Sequence, residues 1–307
     1  MSDASCACWH GVPPAAAVPA LRCGIFWFFH NPKTAGSVVE EHLNAATSHA
    51  TRSRRRWVYH SMFHTDWDWR RWNTSAGWHR VLKELEQPEP FVVISQHHTS
   101  PGFAEDESVF DAAIAPLRRR LADKGCGLRL ATLLREPVSR TASALYFNRV
   151  PHGDLPRWVS RDKQGGNAQA KYLLRTNHYP ESATGNPADE WPLLAPAVAA
   201  LSRFDVVGRT EELSTFLDAV DRSLGLPAAS TTTNGGTTKV GGKEASTEVN
   251  VTPEQFKYPL TPSDRSAIER ANQVDHLIYR RYCAAAWLCP LLAASRPNTS
   301  MSNFYLG

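Results

Sequence analysis

Hydrophobic positions along the chain fall into two patterns. Continuous apolar runs occur at 24–29 (GIFWFF), 57–62 (WVYHSM), 91–96 (FVVISQ), 128–134 (LRLATLL) and 204–208 (FDVVG). Between them, apolar residues recur at helical spacing, as with Val38, Val39, Leu43 and Ala46 after the first run. A strand without polar alternation is buried on both faces, and helices between such strands are the crossovers of a parallel sheet. The pattern therefore predicts an α/β fold with a central parallel β-sheet flanked by helices on both faces. In such sheets ligands gather at the carboxyl ends of the strands.

Start signals place several of the helices. Pro137, after LLRE, suits the first position of a helix running through Leu145. Thr210, followed by Glu211 and Glu212, is expected as an N-cap with acids in the first turn. Residues 260–282 (LTPSDRSAIERANQVDHLIYRRY) are expected as one helix capped by Thr261 with Pro262 at its first position, its stripe of Ile268, Ala271, Val274, Leu277 and Ile278 docking on the body. The stretch 230–247 is rich in Gly, Ser and Thr and is expected to be a flexible surface loop. Residues 1–22 lack periodicity and are expected to be a loose N-terminal leader, with 23–290 a single domain and 291–307 a C-terminal tail. No internal repeat is visible.

Composition adds limits. The 307 residues are 42% apolar and 21% charged, ordinary for a globular chain, with ten tryptophans, more than usual. The formal charge of +4 favours an anionic ligand but falls short of a nucleic-acid-binding signature, so no nucleic-acid partner is expected. The dense basic run Arg52, Arg54, Arg55 and Arg56 suits either a solvated surface or an acidic substrate. The six cysteines (Cys6, Cys8, Cys23, Cys126, Cys283, Cys289) have neither CxxC pairs nor zinc-finger spacing, so no structural zinc site is expected, and their spacing does not define an oxidation state. The apolar stretch 15–29 is too short for a membrane span and is broken by Pro19 and Arg22. Sequons at Asn73, Asn250 and Asn298 matter only in a secretory compartment.

Candidate chemistry concentrates after the first strand. In FFHNPKTAGSVVEEHL (28–43) a turn carrying Lys33, Thr34, Ala35, Gly36, Ser37 and Val38 joins a strand to a helix, aiming backbone N–H groups and a helix N-terminus at one spot. That geometry suits an anion, with Gly36 permitting close backbone approach, Lys33 supplying charge, and Thr34 and Ser37 supplying hydroxyl donors. An ordinary capped strand–helix turn has the same outline. The GxxxxGK[ST] phosphate loop of ATP-using kinases is absent.

The turn resembles the 5′-phosphosulfate loop of sulfotransferases, in the HxPKT(G/A)(G/S)(T/S) form of the carbohydrate sulfotransferases that include the heparan sulfate 2-O and 6-O enzymes. His30, Pro32, Lys33, Thr34, Ala35, Gly36 and Ser37 match position by position, while Val38 stands where many members carry a second hydroxyl. LLREPVSRTASALYF (133–147) is similar to that family's LRDPVxRxxSxY element, which implies that Arg135 and Ser143 bind the 3′-phosphate of the donor, 3′-phosphoadenosine 5′-phosphosulfate (PAPS). Weaker similarity continues in GGNAQAKYLL (165–174), which resembles the family's Asn-x-Gln segment, in FDVVGRTEELSTFLDAVDRSLGL, and in the helix at 260–282. The resemblance spans 24–282 and implies a P-loop-like sulfotransferase fold and a PAPS-dependent O-sulfotransferase acting on a carbohydrate or other hydroxylated acceptor.

On that reading Lys33 neutralises charge at the leaving oxygen, and no metal is expected because a sulfuryl group carries less charge than a phosphoryl group. A histidine suits the general base that the acceptor hydroxyl needs. His97 and His98 follow the third apolar run; where the family often has a glycine before its histidine this chain has Gln96, so His97 is the first choice and His98 the second. Glu105 and Asp106 are further candidates, and His30 is expected to pack at the strand end. Trp67, Trp69, Arg70 and Arg71, with Trp72 and Trp78, suit either an acceptor sugar or core packing. Lys239 and Lys243 are candidates to close over the nucleotide. The chain as given is expected to be soluble and cytoplasmic, or, because family members commonly work behind an N-terminal anchor, in the Golgi lumen if its N-terminus is incomplete. Two other readings remain open: a nucleotide-dependent phosphotransferase using the same turn, and a non-catalytic nucleotide-binding protein.

Overall fold

The computed structural model describes residues 20–52, 57–63, 76–97, 107–161, 165–174, 192–226, 238–240, 243–245 and 259–285. Strands β1 (Gly24–His30), β2 (Trp57–Phe63), β3 (Phe91–His97), β4 (Gly127–Leu134) and β5 (Val206–Arg209) form one sheet, and every pairing in it is parallel. Its order is β2-β3-β1-β4-β5. Helices α1 (Gly36–Arg52), α2 (Ala76–Glu84) and α3 (Glu107–Ala122) provide the first three crossovers. The link from β4 to β5 is longer and contains α4 (Pro137–Phe147), α5 (Leu155–Arg161), α6 (Ala168–Leu174) and α7 (Leu194–Leu201). After β5 come α8 (Leu213–Ser223), the small strands β6 (Thr238–Val240) and β7 (Lys243–Ala245), and helices α9 (Pro262–Ala271) and α10 (Gln273–Ala285).

The apolar runs of the central strands β1 and β3 became strands because both of their faces are covered. All of β1 is buried. Phe28 points to one face, where its ring lies 6.0 Å from Phe216 of α8, and Phe29 to the other, where it meets Phe204 edge-on at 5.5 Å. Strand order then locates the crevice. The chain leaves β1 toward β2 at one edge and leaves β4 toward β5 at the other, so the connections diverge between the neighbours β1 and β4, where such sheets open for ligands. The turn at 31–35 and the segment starting at Arg135 both begin there.

Three local expectations change. Thr210 opens a single 3-10 turn, Thr210–Glu212, instead of capping the helix; its hydroxyl donates to Leu134 O (3.3 Å), and α8 begins one turn later. The segment at 260–282 is two helices. Thr261 caps the first as expected, in a reciprocal capping box with Asp264, but Asn272 ends it because its side chain is diverted to neighbours, donating to Gly165 O and Ile268 O and accepting the Asn167 amide. Within the Gly/Ser/Thr-rich stretch expected as a loop, β6 and β7 pair as a short antiparallel hairpin.

Cys23 and Cys126 form a disulfide. They immediately precede Gly24 and Gly127, which are register partners in β1 and β4. Residues so placed are one strand spacing apart, and the Cα–Cα distance is 4.8 Å. Among the described residues no helix is long and apolar enough to cross a membrane.

Candidate functional site at the β1–β4 crevice

The turn after β1 has an unusual backbone. Lys33 (φ 67°) and Ala35 (φ 60°) are left-handed and Thr34 between them is not, an alternation that curls successive N–H groups around one point. Non-glycine residues resist this conformation, and they hold it here because the turn is tied from within and from outside. The Thr34 hydroxyl, buried, donates to Asn31 O (2.6 Å), so it serves the turn itself. Helix α1 opens at Gly36, and in its first turn the amides of Val38 (3.1 Å) and Val39 (3.4 Å) both donate to Ala35 O. Gly36 itself is not left-handed. It is small because the ring of His30 occupies the place of its side chain: a Cβ there would lie 1.8 Å from His30 Cδ2. Ser37 and Val38 follow, each partly exposed, in the first turn of α1.

His30 packs at the strand end as expected, buried, with Nδ1 3.2 Å from Glu40 Oε1. The same carboxylate oxygen accepts the Ser95 hydroxyl (2.8 Å), so Glu40 joins α1, β1 and β3 beneath the turn. Burial, and then the charge of Glu40, push the Tyr172 phenol of α6 up from its ordinary value. Sequence reading passed over Glu40, whose only signal was its position one turn into α1 from Gly36.

From the other side, two arginines reach the turn. Arg135, just past β4, donates from Nη1 to Lys33 O (3.1 Å). Arg140, in α4 and only 1% exposed, donates from Nε to Pro32 O (3.3 Å). Each of these side chains is drawn inward to a carbonyl of the turn. Glu136 caps α4, accepting the amides of Val138 (3.0 Å) and Ser139 (2.7 Å). Burial works against its charge, but these amides outweigh it and hold the carboxyl below the usual range. Ser143 lies on α4, partly exposed, two helical turns beyond the Arg135 end.

These cations act on Lys33. Its ammonium lies 3.8 Å from the centroid of Phe147, the one exposed large hydrophobic among the described residues. Burial first, then the charges of Arg135 and Arg140, lower its pKa from 10.5 to about 8. Burial likewise pushes Arg135 down, opposed by Glu211 and Glu136. The result is a concentrated positive potential at the carboxyl edge of the sheet with no carboxylate bonded to Lys33 among the described residues, an arrangement suited to a multiply charged anion.

Of the other sequence candidates, His97 ends β3 with its backbone paired in register to His30 on one side and Phe63 on the other. His98, Trp67, Trp69, Arg70, Arg71, Trp72, Glu105 and Asp106 lie outside the described residues, as do Arg54, Arg55, Arg56 and the sequons at Asn73, Asn250 and Asn298. Lys239 and Lys243 lie on the β6–β7 hairpin. Gln169 was noted only within a weak resemblance, yet its side-chain amide brackets the Arg135 peptide, accepting from Arg135 N and donating to Arg135 O, both at 2.9 Å. Among the described residues no group of three or more His, Cys, Asp or Glu is arranged to hold a metal ion. The chain matches no protein-family model and no curated protein sequence.

Proposed function

We propose that this chain is a PAPS-dependent O-sulfotransferase with a P-loop-like sulfotransferase fold, acting on a hydroxyl of a carbohydrate or a similar acceptor. The observation that carries the reading is the 3.1 Å bond from Arg135 Nη1 to Lys33 O. It joins the two elements that the sequence motifs single out, 102 residues apart, at one crevice. The residues fit the donor: the Lys33–Ala35 curl at the N-terminus of α1, with the Lys33 ammonium, suits a 5′-phosphosulfate, and Arg135 just past β4 and Ser143 on α4 suit a 3′-phosphate. The buried amide of Asn31 has no hydrogen-bond partner among the described residues, so the turn does not satisfy its own polar groups.

The donor supplies an activated sulfuryl group whose bridging S–O bond breaks with its electron pair going to the 5′-phosphate oxygen. Lys33 is the charge that stabilises this oxygen, and its amides and ammonium are fixed before reaction. His97, at the carboxyl end of β3 beside His30, takes the proton of the acceptor hydroxyl as its oxygen bonds to sulfur. The Cys23–Cys126 disulfide favours an oxidising compartment, and hence the Golgi-lumen alternative over the cytoplasm.

The test is transfer of radiolabelled sulfate from PAPS to a panel of glycans and small alcohols, run beside ATP with labelled γ-phosphate. Sulfate transfer that is lost in Lys33→Ala and His97→Ala, with both variants folded, supports the reading. Phosphate transfer from ATP alone would make the protein a phosphotransferase, and tight binding of adenosine 3′,5′-bisphosphate without transfer to any acceptor would make it a non-catalytic binder.

A further inference from the structure

Asp275 lies in α10, far from the anion turn in sequence, yet it stands at the root of a chain of hydrogen bonds that ends there. It is fully buried. Its two carboxylate oxygens accept the amides of Gln169 (3.0 Å) and Ala170 (2.9 Å), in the first turn of α6. Its own amide donates to Asn167 Oδ1 (3.0 Å), and the Asn167 amide donates to Asn272 Oδ1 (3.0 Å). Asn167 is left-handed (φ 44°), and the entry into α6 is a sharp bend bonded to α10 and to the break before it. Gln169, fixed at its backbone, brackets the Arg135 peptide with two 2.9 Å bonds, and Arg135 bonds Lys33 O.

The chemistry of the buried carboxylate is specific. Two adjacent amides point the same way and each needs an acceptor; a carboxylate has two equivalent oxygens, whereas an asparagine has one oxygen and a donor group. Burial pushes the Asp275 carboxyl up from its ordinary value, opposed first by the Gln169 and Ala170 amides and then by the charges of Arg140 and Lys171. Arg140 in turn bonds Pro32 O. Arg135 is therefore tied to Asp275 through Gln169. A helix held only for packing needs none of these bonds to converge on one peptide.

We propose that Asp275, acting through Gln169, is a positioning residue that sets the orientation of Arg135 for a 3′-phosphate. The inference rests on the sulfotransferase reading of the site. Its test compares binding of adenosine 3′,5′-bisphosphate and adenosine 5′-monophosphate by calorimetry in wild type, Gln169→Leu and Asp275→Asn. Gln169→Leu keeps the backbone bonds to Asp275 and removes only the bracket. The ratio of the two affinities should fall about tenfold in Gln169→Leu, the size of one or two lost hydrogen bonds, with monophosphate affinity unchanged. Asp275→Asn should lower the ratio in the same direction, and if that variant does not fold, Gln169→Leu alone decides. A wild-type ratio in Gln169→Leu overturns the inference while leaving the sulfotransferase reading intact. Equal loss for both nucleotides overturns it too, since that marks a general loosening of the crevice. A wild-type protein that binds neither nucleotide overturns the reading of the site and the inference together.

Discussion

Raising the pH should empty the anion turn well before it unfolds the protein. In the ligand-free chain Lys33 titrates at about 8, lowered from 10.5 by burial and by Arg135 and Arg140. The ammonium is thus about nine-tenths charged at pH 7 and about one-tenth at pH 9. A phosphate dianion beside it favours the charged form, so the bound state has the higher pKa and binding takes up a proton above about pH 8. Affinity for adenosine 3′,5′-bisphosphate should be level below that pH and fall above it, approaching about tenfold per pH unit. The second ionisation of a phosphate, near about pH 6, is complete throughout this window. Stability moves the other way. A lysine whose pKa is lowered on folding binds fewer protons in the folded than in the unfolded state, so between about 8 and 10.5 this group makes the ligand-free protein more stable as pH rises. Calorimetry at fixed ionic strength from pH 7 to 10, in buffers of different ionisation enthalpy, measures both the affinity and the proton uptake. Lys33→Arg is the control: its guanidinium stays charged, so its affinity, weaker or not, should be flat over the same range. A wild-type affinity that is level to pH 10, or a slope equally steep in Lys33→Arg, would refute the placement of the Lys33 charge against the bound anion.

Three further outcomes follow from particular contacts. Gly36→Ala puts a methyl into the His30 ring, which is buried and tied to Glu40, and should cost about 1–3 kcal/mol by thermal denaturation, with recovery when His30→Ser is added; an unchanged melting temperature in the single variant would contradict the packing. Cys23→Ser opens a cross-link between residues 103 apart and should lower stability by about 4–5 kcal/mol in the chain-entropy model, read by urea denaturation, and wild type treated with reductant should fall to the same midpoint. Thr261→Ala removes half of the α9 capping box and should cost about 1 kcal/mol. Burial works against the Asp264 charge, but its bonds from Thr261 and His152 outweigh that and lower its pKa, so its contribution is present above the ordinary carboxyl range and is lost as pH falls through the depressed value; a cap effect that persists undiminished in strong acid would contradict this.

What the sequence made legible was what local spacing determines. The five parallel strands were readable because a strand buried on both faces has no polar alternation to confuse with a helix, and β1, buried end to end, is the extreme case. The order strand, turn, helix at Lys33 was readable for the same reason. The Thr261 cap was too, because a capping box is complete within four residues. Whatever depends on register or on distant partners was not. The pairing of Cys23 with Cys126 follows at once from Gly24 lying opposite Gly127, but nothing in either cysteine's neighbourhood says that β1 and β4 are adjacent. Asn272 sits in a sequence with unbroken helical periodicity and breaks the helix where its side chain is taken up by Gly165 and Asn167, 107 and 105 residues earlier. Gly36 looked like a residue kept small for a ligand and is kept small for His30, which only the folded strand end brings to it. The same division runs through the site. A turn able to curl around an anion is encoded in a few consecutive residues, but a left-handed lysine and alanine stay curled only if something outside the turn holds them, and the holders here are the arginines of the next strand and helix bonding Lys33 O and Pro32 O. The motif after β1 therefore depends on the one after β4: without Arg135 and Arg140, only the Thr34 bonds to Asn31 O would hold the turn, and it would relax toward right-handed backbone and lose a concavity suited to an anion.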